Sequence, residues 1–162
     1  MSVLGGMKAR RNGEYFERLI ESACRYYSVR GEAFIEKTPE PMKPLKPARA
    51  GQFVACFTKQ AQPDYKGTLK GGRAVVFEAK HTTTTRIEQS RVTEEQAKAL
   101  SKHEALGAIC FVLVSFSFNT FYRVPWSVWR NIPEKYGKLS VNEKDLSAYK
   151  VDIIYFLDDL IN

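Results

Sequence analysis

The chain has 162 residues, a length typical of one domain, and its 44% apolar and 27% charged residues are a globular composition that excludes wholesale disorder, a collagen-like chain or low complexity. No apolar run approaches the roughly 18 residues that span a bilayer, so no segment is expected to span a membrane. The formal net charge is +7, and because residues 101–162 carry equal numbers of basic and acidic side chains, the whole excess lies in residues 1–100. This excess of positive charge favours a polyanionic partner, which can be DNA, RNA or anionic lipid. A basic, soluble domain without such a partner has the same composition.

The first elements in the chain are a basic arm and a helix. Residues 1–11 combine two glycines with a basic cluster and are expected to form a flexible N-terminal arm. Apolar residues then recur at three- and four-residue steps over 12–29, which predicts a helix that begins with Asn12 as its N-cap and ends at Gly31. The basic residues of the arm are Lys8, Arg10 and Arg11.

Extended segments follow the helix. Residues 33–35 predict a short strand. The prolines of residues 38–47 exclude a helix or a central strand, so an extended connector is expected there. Residues 52–58 are strand-like, 63–67 form a turn-rich segment, and 74–80 are the clearest strand in the chain.

The second half predicts alternating helices and strands. Thr93 and Gln96 form a capping-box pattern that opens a helix over 93–106. The remaining elements are a strand, its hairpin partner, a short helix and a C-terminal helix, expected over 109–115, 121–124, 125–129 and 152–161. Helices that flank a mixed sheet give an α/β fold, and residues 12–162 are expected to form a single domain.

The cysteines and the N-terminus bear on the compartment. Cys24, Cys56 and Cys110 are odd in number and widely spaced, which matches neither a disulfide framework nor a zinc pattern. The first seven residues are too short and too rich in glycine for the apolar part of a secretion signal. We therefore expect a cytoplasmic protein.

Three side chains around the clearest strand suggest a chemistry. Glu78 and Lys80 share one face of that strand, because side chains alternate along it. Asp64 follows a proline 14 residues earlier, and the intervening glycines let the chain return beside the strand. Two carboxylates can hold Mg²⁺ or Mn²⁺, and a lysine can stabilise the charge that develops on an attacked phosphate. The pattern predicts a metal-dependent phosphodiesterase.

A simpler interpretation is an exposed ion pair between Glu78 and Lys80 at the end of a strand. The context favours the nuclease, because a turn precedes Asp64, the strand is otherwise apolar and the chain is basic.

Longer blocks of sequence resemble one nuclease family. The segments are Asp64-Tyr65-Lys66-Gly67, Lys70-Gly71-Gly72-Arg73, Phe77-Glu78-Ala79-Lys80-His81-Thr82, Gly107-Ala108-Ile109-Cys110-Phe111-Val112 and Asn12-Gly13-Glu14-Tyr15-Phe16-Glu17. They resemble the PD-(D/E)xK nuclease superfamily and, within it, the RecU-type Holliday junction resolvases of Gram-positive bacteria and their phages. The resemblance covers about residues 10–125. It implies a restriction-endonuclease-like α/β fold, with a mixed central sheet flanked by helices and a projecting stalk.

The resemblance also implies roles for individual residues. Asp64 and Glu78 are expected to bind Mg²⁺, or Mn²⁺ in its place, and Lys80 to stabilise the transition state. Gln96 matches a glutamine that contributes to the metal site, and Glu17 matches a glutamate that lies near the metal or orients water. Gln62 stands where the family has a threonine ligand, and its amide oxygen is expected to replace the hydroxyl.

The family's stalk enters the open centre of a four-way junction, and residues of about 41–60 fall where that stalk is expected. Phe57 is then expected to stack on unpaired bases at the crossover, or else to pack inside the stalk. The expected DNA contacts are Arg49, Lys59, Arg73 and the arm residues Lys8, Arg10 and Arg11.

The sequence therefore predicts a Mg²⁺-dependent endonuclease that resolves four-way DNA. Paired nicks in opposing strands require two sites and hence a homodimer, and the resemblance suggests a recombinase partner. Two alternatives stay open: another nuclease of the same fold that cuts linear duplex DNA, and a non-catalytic module that binds branched DNA.

Overall fold

A mixed sheet lies at the centre of the molecule. The structure is a computed structural model that describes residues 3–39, 42–57 and 62–161. Its strands are β1 (Ala33–Lys37), β2 (Met42–Pro47), β3 (Phe53–Phe57), β4 (Tyr65–Leu69), β5 (Ala74–Thr82), β6 (Arg86–Glu88), β7 (Ile109–Phe116), β8 (Thr120–Pro125), β9 (Ser140–Asn142) and β10 (Lys150–Val151). The central sheet has the order β1-β4-β5-β7-β8-β10. Only β5 and β7 pair in parallel within it, so the expected mixed α/β sheet is confirmed.

Helices cover both faces of this sheet. The helices are α1 (Val3–Val29), α2 (Glu94–Ala105), α3 (Trp126–Trp129), α4 (Ile132–Tyr136) and α5 (Asp158–Ile161). On one face, α1 packs against Val75 and Phe77 of β5. On the other face, α2 and α3 enclose a second core that contains Val76 and Val112. Among the described residues, none of the helices combines the length and the apolar character needed to cross a membrane.

The first helix is longer than the sequence predicts. It begins at Val3 rather than at Asn12, so the part of the predicted flexible arm from residue 3 onward is helical. Alanine, methionine, lysine and arginine are strong helix formers, and the segment 7–11 consists of these residues alone. The helix therefore continues through the basic cluster, despite the two glycines before it.

β4 is a strand where the sequence predicts a turn. Tyr65 and Leu69 are buried against α1, and β4 pairs antiparallel with both β1 and β5. Gly67 lies opposite Ile35 of β1, and a Cβ at this position would overlap the carbonyl oxygen of Phe34. The close approach of the two strands thus requires glycine, the residue that weakens the strand signal in the sequence.

The proline-rich connector forms an exposed hairpin. β2 pairs antiparallel with β3 in a separate two-stranded sheet, and every residue from Met42 to Cys56 is exposed. Prolines are tolerated because each of these strands has hydrogen-bonded neighbours on one side only. The hairpin falls within residues of about 41–60, where the stalk is expected, and its role as a stalk stays a prediction.

The predicted C-terminal helix is wrong except in its last turn. The Asp152 side chain accepts a hydrogen bond from the N–H of Ile154 (2.8 Å), which favours a turn at the start of the segment. A chain of short turns follows and buries Phe156 and Leu157 against α1. The helical pattern in the sequence therefore reflects burial of these residues in turns, and only α5 is helical.

Other local predictions are confirmed. Thr93 and Gln96 form both hydrogen bonds of the capping box at the start of α2. β7 and β8 form the expected hairpin, and α3 carries the buried Trp126 and Trp129 directly after Pro125.

Candidate active site

Pairing between β4 and β5 brings the three predicted site residues together. Tyr65 pairs with Phe77, so the antiparallel register places Asp64, one residue before β4, opposite Glu78. Glu78 and Lys80 lie on the face of β5 that α2 covers, as the alternation of side chains predicts. The three residues thus meet where β4 begins and β5 approaches its end.

Hydrogen bonds and charge hold this group in place. Oδ2 of Asp64 accepts a hydrogen bond from the N–H of Ala79 (3.0 Å). Nζ of Lys80 donates to Oε2 of Glu78 (2.7 Å) and lies 3.7 Å from Oδ2 of Asp64. The ammonium group of Lys80 therefore lies close enough to compensate the charge of both carboxylates. The arrangement excludes the alternative of an isolated, exposed pair between Glu78 and Lys80.

The three side chains differ in their access to solvent. Glu78 is fully buried, whereas the side chains of Lys80 and Asp64 are 13% and 34% exposed. Burial raises the pKa of Glu78 to about 8, and the neighbouring Asp64 carboxylate acts in the same direction, while Lys80 opposes both. Glu78 is thus a carboxyl group whose charge depends on nearby positive charge.

Gln96 connects helix α2 to Glu78. Its Nε2 donates to Oε2 of Glu78 (2.6 Å), and its Oε1 accepts the N–H of Thr93 (3.0 Å) in the capping box. The predicted glutamine therefore lies at the site, but its carbonyl oxygen is engaged at the start of the helix. Its amide nitrogen, rather than its oxygen, is directed at the carboxylate.

The site has the donors that a hard divalent cation uses. Oε1 of Glu78 is buried and has no hydrogen-bond partner among the described residues, so it is available as a ligand. Asp64 supplies the second carboxylate. The described residues contain no group of three or more His, Cys, Asp or Glu side chains that could hold a metal ion. A cation bound by two carboxylates keeps several waters, which is the usual coordination of Mg²⁺ in proteins and fits this pair.

Glu17 approaches the site from α1. Its carboxylate forms an ion pair with Nζ of Lys37 (2.6 Å) at the end of β1. The next residue, Thr38, donates its N–H to the backbone oxygen of Asp64 (2.8 Å), and the charges of Glu17 and Asp64 both act on Lys37. Glu17 therefore contacts Lys37, which lies between it and Asp64 at the edge of the site.

Gln62 lies two residues before Asp64 and is exposed. Its Oε1 accepts a hydrogen bond from Nζ of Lys66 (2.8 Å). The amide oxygen expected to replace the family's threonine hydroxyl is thus directed at a lysine.

The predicted DNA contacts are spread over the molecule. Arg11 is exposed on α1, and Arg49 is exposed at the tip of the β2–β3 hairpin. Arg73 precedes β5 and donates to the backbone oxygen of Gly107 (3.3 Å). It lies five positions before Glu78, which is roughly 17 Å along an extended strand. Lys59 and the side chains of Lys8, Arg10 and Phe57 lie outside the described part of the chain.

Lys37 is a site-edge residue that the sequence reasoning missed. A lysine after a short apolar run carries no local signal for a site. The antiparallel pairing of β1 with β4 places it beside Asp64, and that pairing stays hidden as long as β4 is expected to be a turn.

The fold and the site define a class. A mixed sheet in which two carboxylates and a lysine meet on adjacent antiparallel strands is the arrangement expected of a restriction-endonuclease-like nuclease fold. The fold is shared with Hjc of Archaeoglobus fulgidus, described as a Holliday junction resolvase from an archaeal hyperthermophile. That likeness has a TM-score of 0.52 at 15% identity and covers 87% of this chain and 96% of the Hjc chain.

The chain belongs to the RecU family, whose model, described as Recombination protein U, matches residues 11–162. It is 31% identical over 131 residues to the Holliday junction resolvase RecU of Bacillus pumilus, across 77% of this chain and 63% of that relative. It is 35% identical over 124 residues to the protein of the same name from Lactococcus lactis, across 72% of this chain and 58% of that relative. The match thus spans about three fifths of the length of these relatives.

Proposed function

We propose that the chain is a Mg²⁺-dependent endonuclease that resolves four-way DNA junctions, with Mn²⁺ able to replace Mg²⁺. The observation that carries this proposal is the convergence of Asp64, Glu78 and Lys80 at one partly open position of the sheet. Membership of the RecU family and the names of the relatives support branched DNA as the substrate.

Asp64 and Glu78 would hold the metal ion, Glu78 through its unpaired Oε1. When bound, the ion supplies Lewis-acid chemistry and lowers the pKa of a coordinated water. Gln96 is proposed as a positioning residue, because it fixes Oε2 of Glu78 and leaves Oε1 for the ion. Glu17 and Gln62 act at the edge of the site in this proposal, through Lys37 and Lys66 respectively.

Lys80 has two functions in this proposal. Before DNA binds, its ammonium group compensates the two carboxylates, from 2.7 Å and 3.7 Å. During hydrolysis it stabilises the negative charge that develops on the attacked phosphate. Its side chain is 13% exposed, so it is largely shielded from water, which strengthens its electrostatic effect.

The β2–β3 hairpin is the proposed junction-binding element. Residues 42–56 contain Lys43, Lys46 and Arg49 and no acidic residue, and all of them are exposed. Such an element attracts phosphates without reading base sequence, so recognition would depend on the shape of the DNA. Arg11 would extend this surface along α1, together with Lys8 and Arg10. Phe57, the last residue of β3, and Lys59 keep their predicted role in DNA binding.

We also propose a cytoplasmic homodimer. A junction is resolved by nicks in two opposing strands, and each chain offers one carboxylate–lysine site, so two chains are required. The recombinase partner stays a prediction from the family resemblance.

The direct test is cleavage of a four-way junction by the unmutated chain and by Asp64→Asn. We expect Mg²⁺-dependent nicking by the unmutated chain, and loss of nicking with retained junction binding in the variant. Glu36→Gln is the matched control, because Glu36 is an exposed carboxylate on the same sheet, and its cleavage should equal that of the unmutated chain.

Two results would favour the alternatives. Equal cleavage of the junction and of linear duplex with the same sequence would indicate a nuclease without structural selectivity. Junction binding by the unmutated chain without cleavage in either Mg²⁺ or Mn²⁺ would refute the enzyme and leave a binding module.

A further inference from the structure

An aromatic cluster lies at the same end of β5 as the candidate active site, on the face of the sheet that α1 covers. It consists of Tyr15 on α1, His81 on β5 and Phe118 in the turn between β7 and β8. The rings of His81 and Phe118 are stacked, with centroids 3.9 Å apart and an interplanar angle of 12°. The ring of Tyr15 meets that of Phe118 edge to face, with centroids 4.8 Å apart. His81 directly follows Lys80 in the chain, so the cluster lies at the site end of β5.

The turn that carries Phe118 has an unusual composition. Ser117 and Phe118 are its central residues, with φ of 51° and 59°, and the N–H of Asn119 closes it on the oxygen of Phe116 (3.0 Å). β-turns with positive φ at both central positions favour asparagine and glycine, whereas a bulky side chain is strained there. The N–H of Ser117 also donates to the oxygen of Thr82 (2.8 Å), which ties the turn to the end of β5.

Part of the cluster is open to solvent. Tyr15 is 43% exposed and Phe118 is partly exposed. The guanidinium carbon of Arg18 lies 5.5 Å from the centroid of the Tyr15 ring. An accessible aromatic ring next to a cation is the combination that binds single-stranded nucleic acid, because the base stacks on the ring and the cation attracts the phosphate.

From these observations we propose that Tyr15 and Phe118 form a stacking surface for an unpaired nucleobase of branched DNA, at the site end of the sheet. The inference rests on the proposed function and adds to it a binding site for one nucleotide. Strain held at the edge of a site, where asparagine or glycine would relieve it, indicates that the ring itself is used. His81 supports the ring of Phe118 from below, and Arg18 would contact the phosphate of the stacked nucleotide.

The experiment uses junctions with 2-aminopurine at single positions around the branch, in EDTA so that no strand is cut. The variants are Phe118→Asn, which suits the positive φ of the turn, Tyr15→Leu, and Phe118→Tyr, which keeps a ring. Phe34→Leu is the matched control, because Phe34 is an exposed aromatic residue on β1 outside the cluster. Thermal unfolding of each variant is measured in parallel.

We expect the unmutated chain to quench the probe at one position, and Phe118→Asn and Tyr15→Leu to lose that quenching. Their affinity for the junction should fall by roughly 5- to 150-fold, the range that one stacked base accounts for. Phe118→Tyr and Phe34→Leu should behave like the unmutated chain. Thermal unfolding should show that each variant is folded at the temperature of the binding assay, which excludes misfolding as the cause.

Three outcomes would overturn the inference. If both ring deletions leave affinity and quenching unchanged, the cluster only packs the end of the core, while the proposed function stands. If affinity for linear duplex falls as much as affinity for the junction, the ring does not bind an unpaired base. If the unmutated chain does not prefer the junction to duplex at all, the proposed function fails and the stacking surface fails with it.

Discussion

Neutralising the buried carboxylate at the centre of the site should stabilise the metal-free protein. Glu78 is fully buried, and two donors, Lys80 and Gln96, are both directed at its Oε2. Its Oε1 has no partner among the described residues. In Glu78→Gln the charge disappears while the shape of the side chain is kept. We therefore expect the variant to lose cleavage and to gain stability when no divalent ion is present.

The magnitude follows from the pKa of Glu78. Burial, reinforced by the charge of Asp64, raises this pKa from 4.5 to about 8. The folded state thus holds the proton more strongly than the unfolded state, so this group's stabilising contribution is complete below pH 4.5 and is lost as the pH rises to about 8. At about 1.4 kcal/mol for each pKa unit, the loss approaches an upper bound on the order of 5 kcal/mol. The variant should recover part of it, on the order of 2–4 kcal/mol above pH 8, because its amide bonds less strongly to Lys80.

Urea unfolding in EDTA at a series of pH values measures the effect. Between pH 5 and pH 8 the free energy of unfolding of the unmutated chain should fall more steeply than that of Glu78→Gln. Mg²⁺ should raise the stability of the unmutated chain and have little effect on the variant. Glu36→Gln, in which an exposed carboxylate of the same sheet is changed, should follow the unmutated chain throughout. If Glu78→Gln is less stable than the unmutated chain at pH 9, the electrostatic reasoning is wrong.

Three further substitutions test separate parts of the structure. Gly67→Ala should lower the free energy of unfolding in urea by at least about 2–3 kcal/mol, because its Cβ would lie 2.6 Å from Cα of Ile35. An unchanged free energy of unfolding would show that β1 and β4 are less closely packed. Tyr27→Phe should lower the free energy of unfolding by about 1–3 kcal/mol, because the buried hydroxyl donates to Oδ1 of Asp158 (2.7 Å) and accepts the N–H of Leu157 (3.0 Å). An unchanged thermal unfolding temperature would contradict this. Gln96→Glu should preserve the capping box but abolish the donor to Glu78, so cleavage should fall while the far-ultraviolet circular dichroism stays constant; full cleavage would refute the positioning role.

The sequence correctly predicts which side chains of β5 face the candidate site, because the two-residue alternation of a strand alone determines it. Alternation along the strand sends Phe77 to the α1 side and Glu78 to the α2 side, and the apolar run shows that both sides are buried. A carboxylate in such a run is costly unless it serves a site or a partner. Position and cost together identify Glu78 without any knowledge of its neighbours.

The partner strand is harder to predict, because its decisive residue weakens its own signal. β4 needs Gly67 to approach β1, yet glycine lowers the strand propensity of a short segment. Without β4 the contact between Lys37 and the Asp64 region cannot be foreseen. The C-terminal segment fails for a related reason: its apolar spacing fits a helix, but the Asp152 side chain stabilises a turn before the helix can begin.

One amide connects the fold to the chemistry of the site. The Oε1 of Gln96 accepts the N–H of Thr93 at the start of α2, and its Nε2 donates to Oε2 of Glu78. Both hydrogen bonds involve the Gln96 side chain. A shift of the start of α2 would therefore break one of them or move the Glu78 carboxylate. The start of the helix therefore helps to hold the Glu78 carboxylate, together with β5 and Lys80. A capping motif that is readable in the sequence thus also contacts a carboxylate of the candidate active site, and a glutamine, with a donor and an acceptor, makes both contacts where a glutamate would lack the donor.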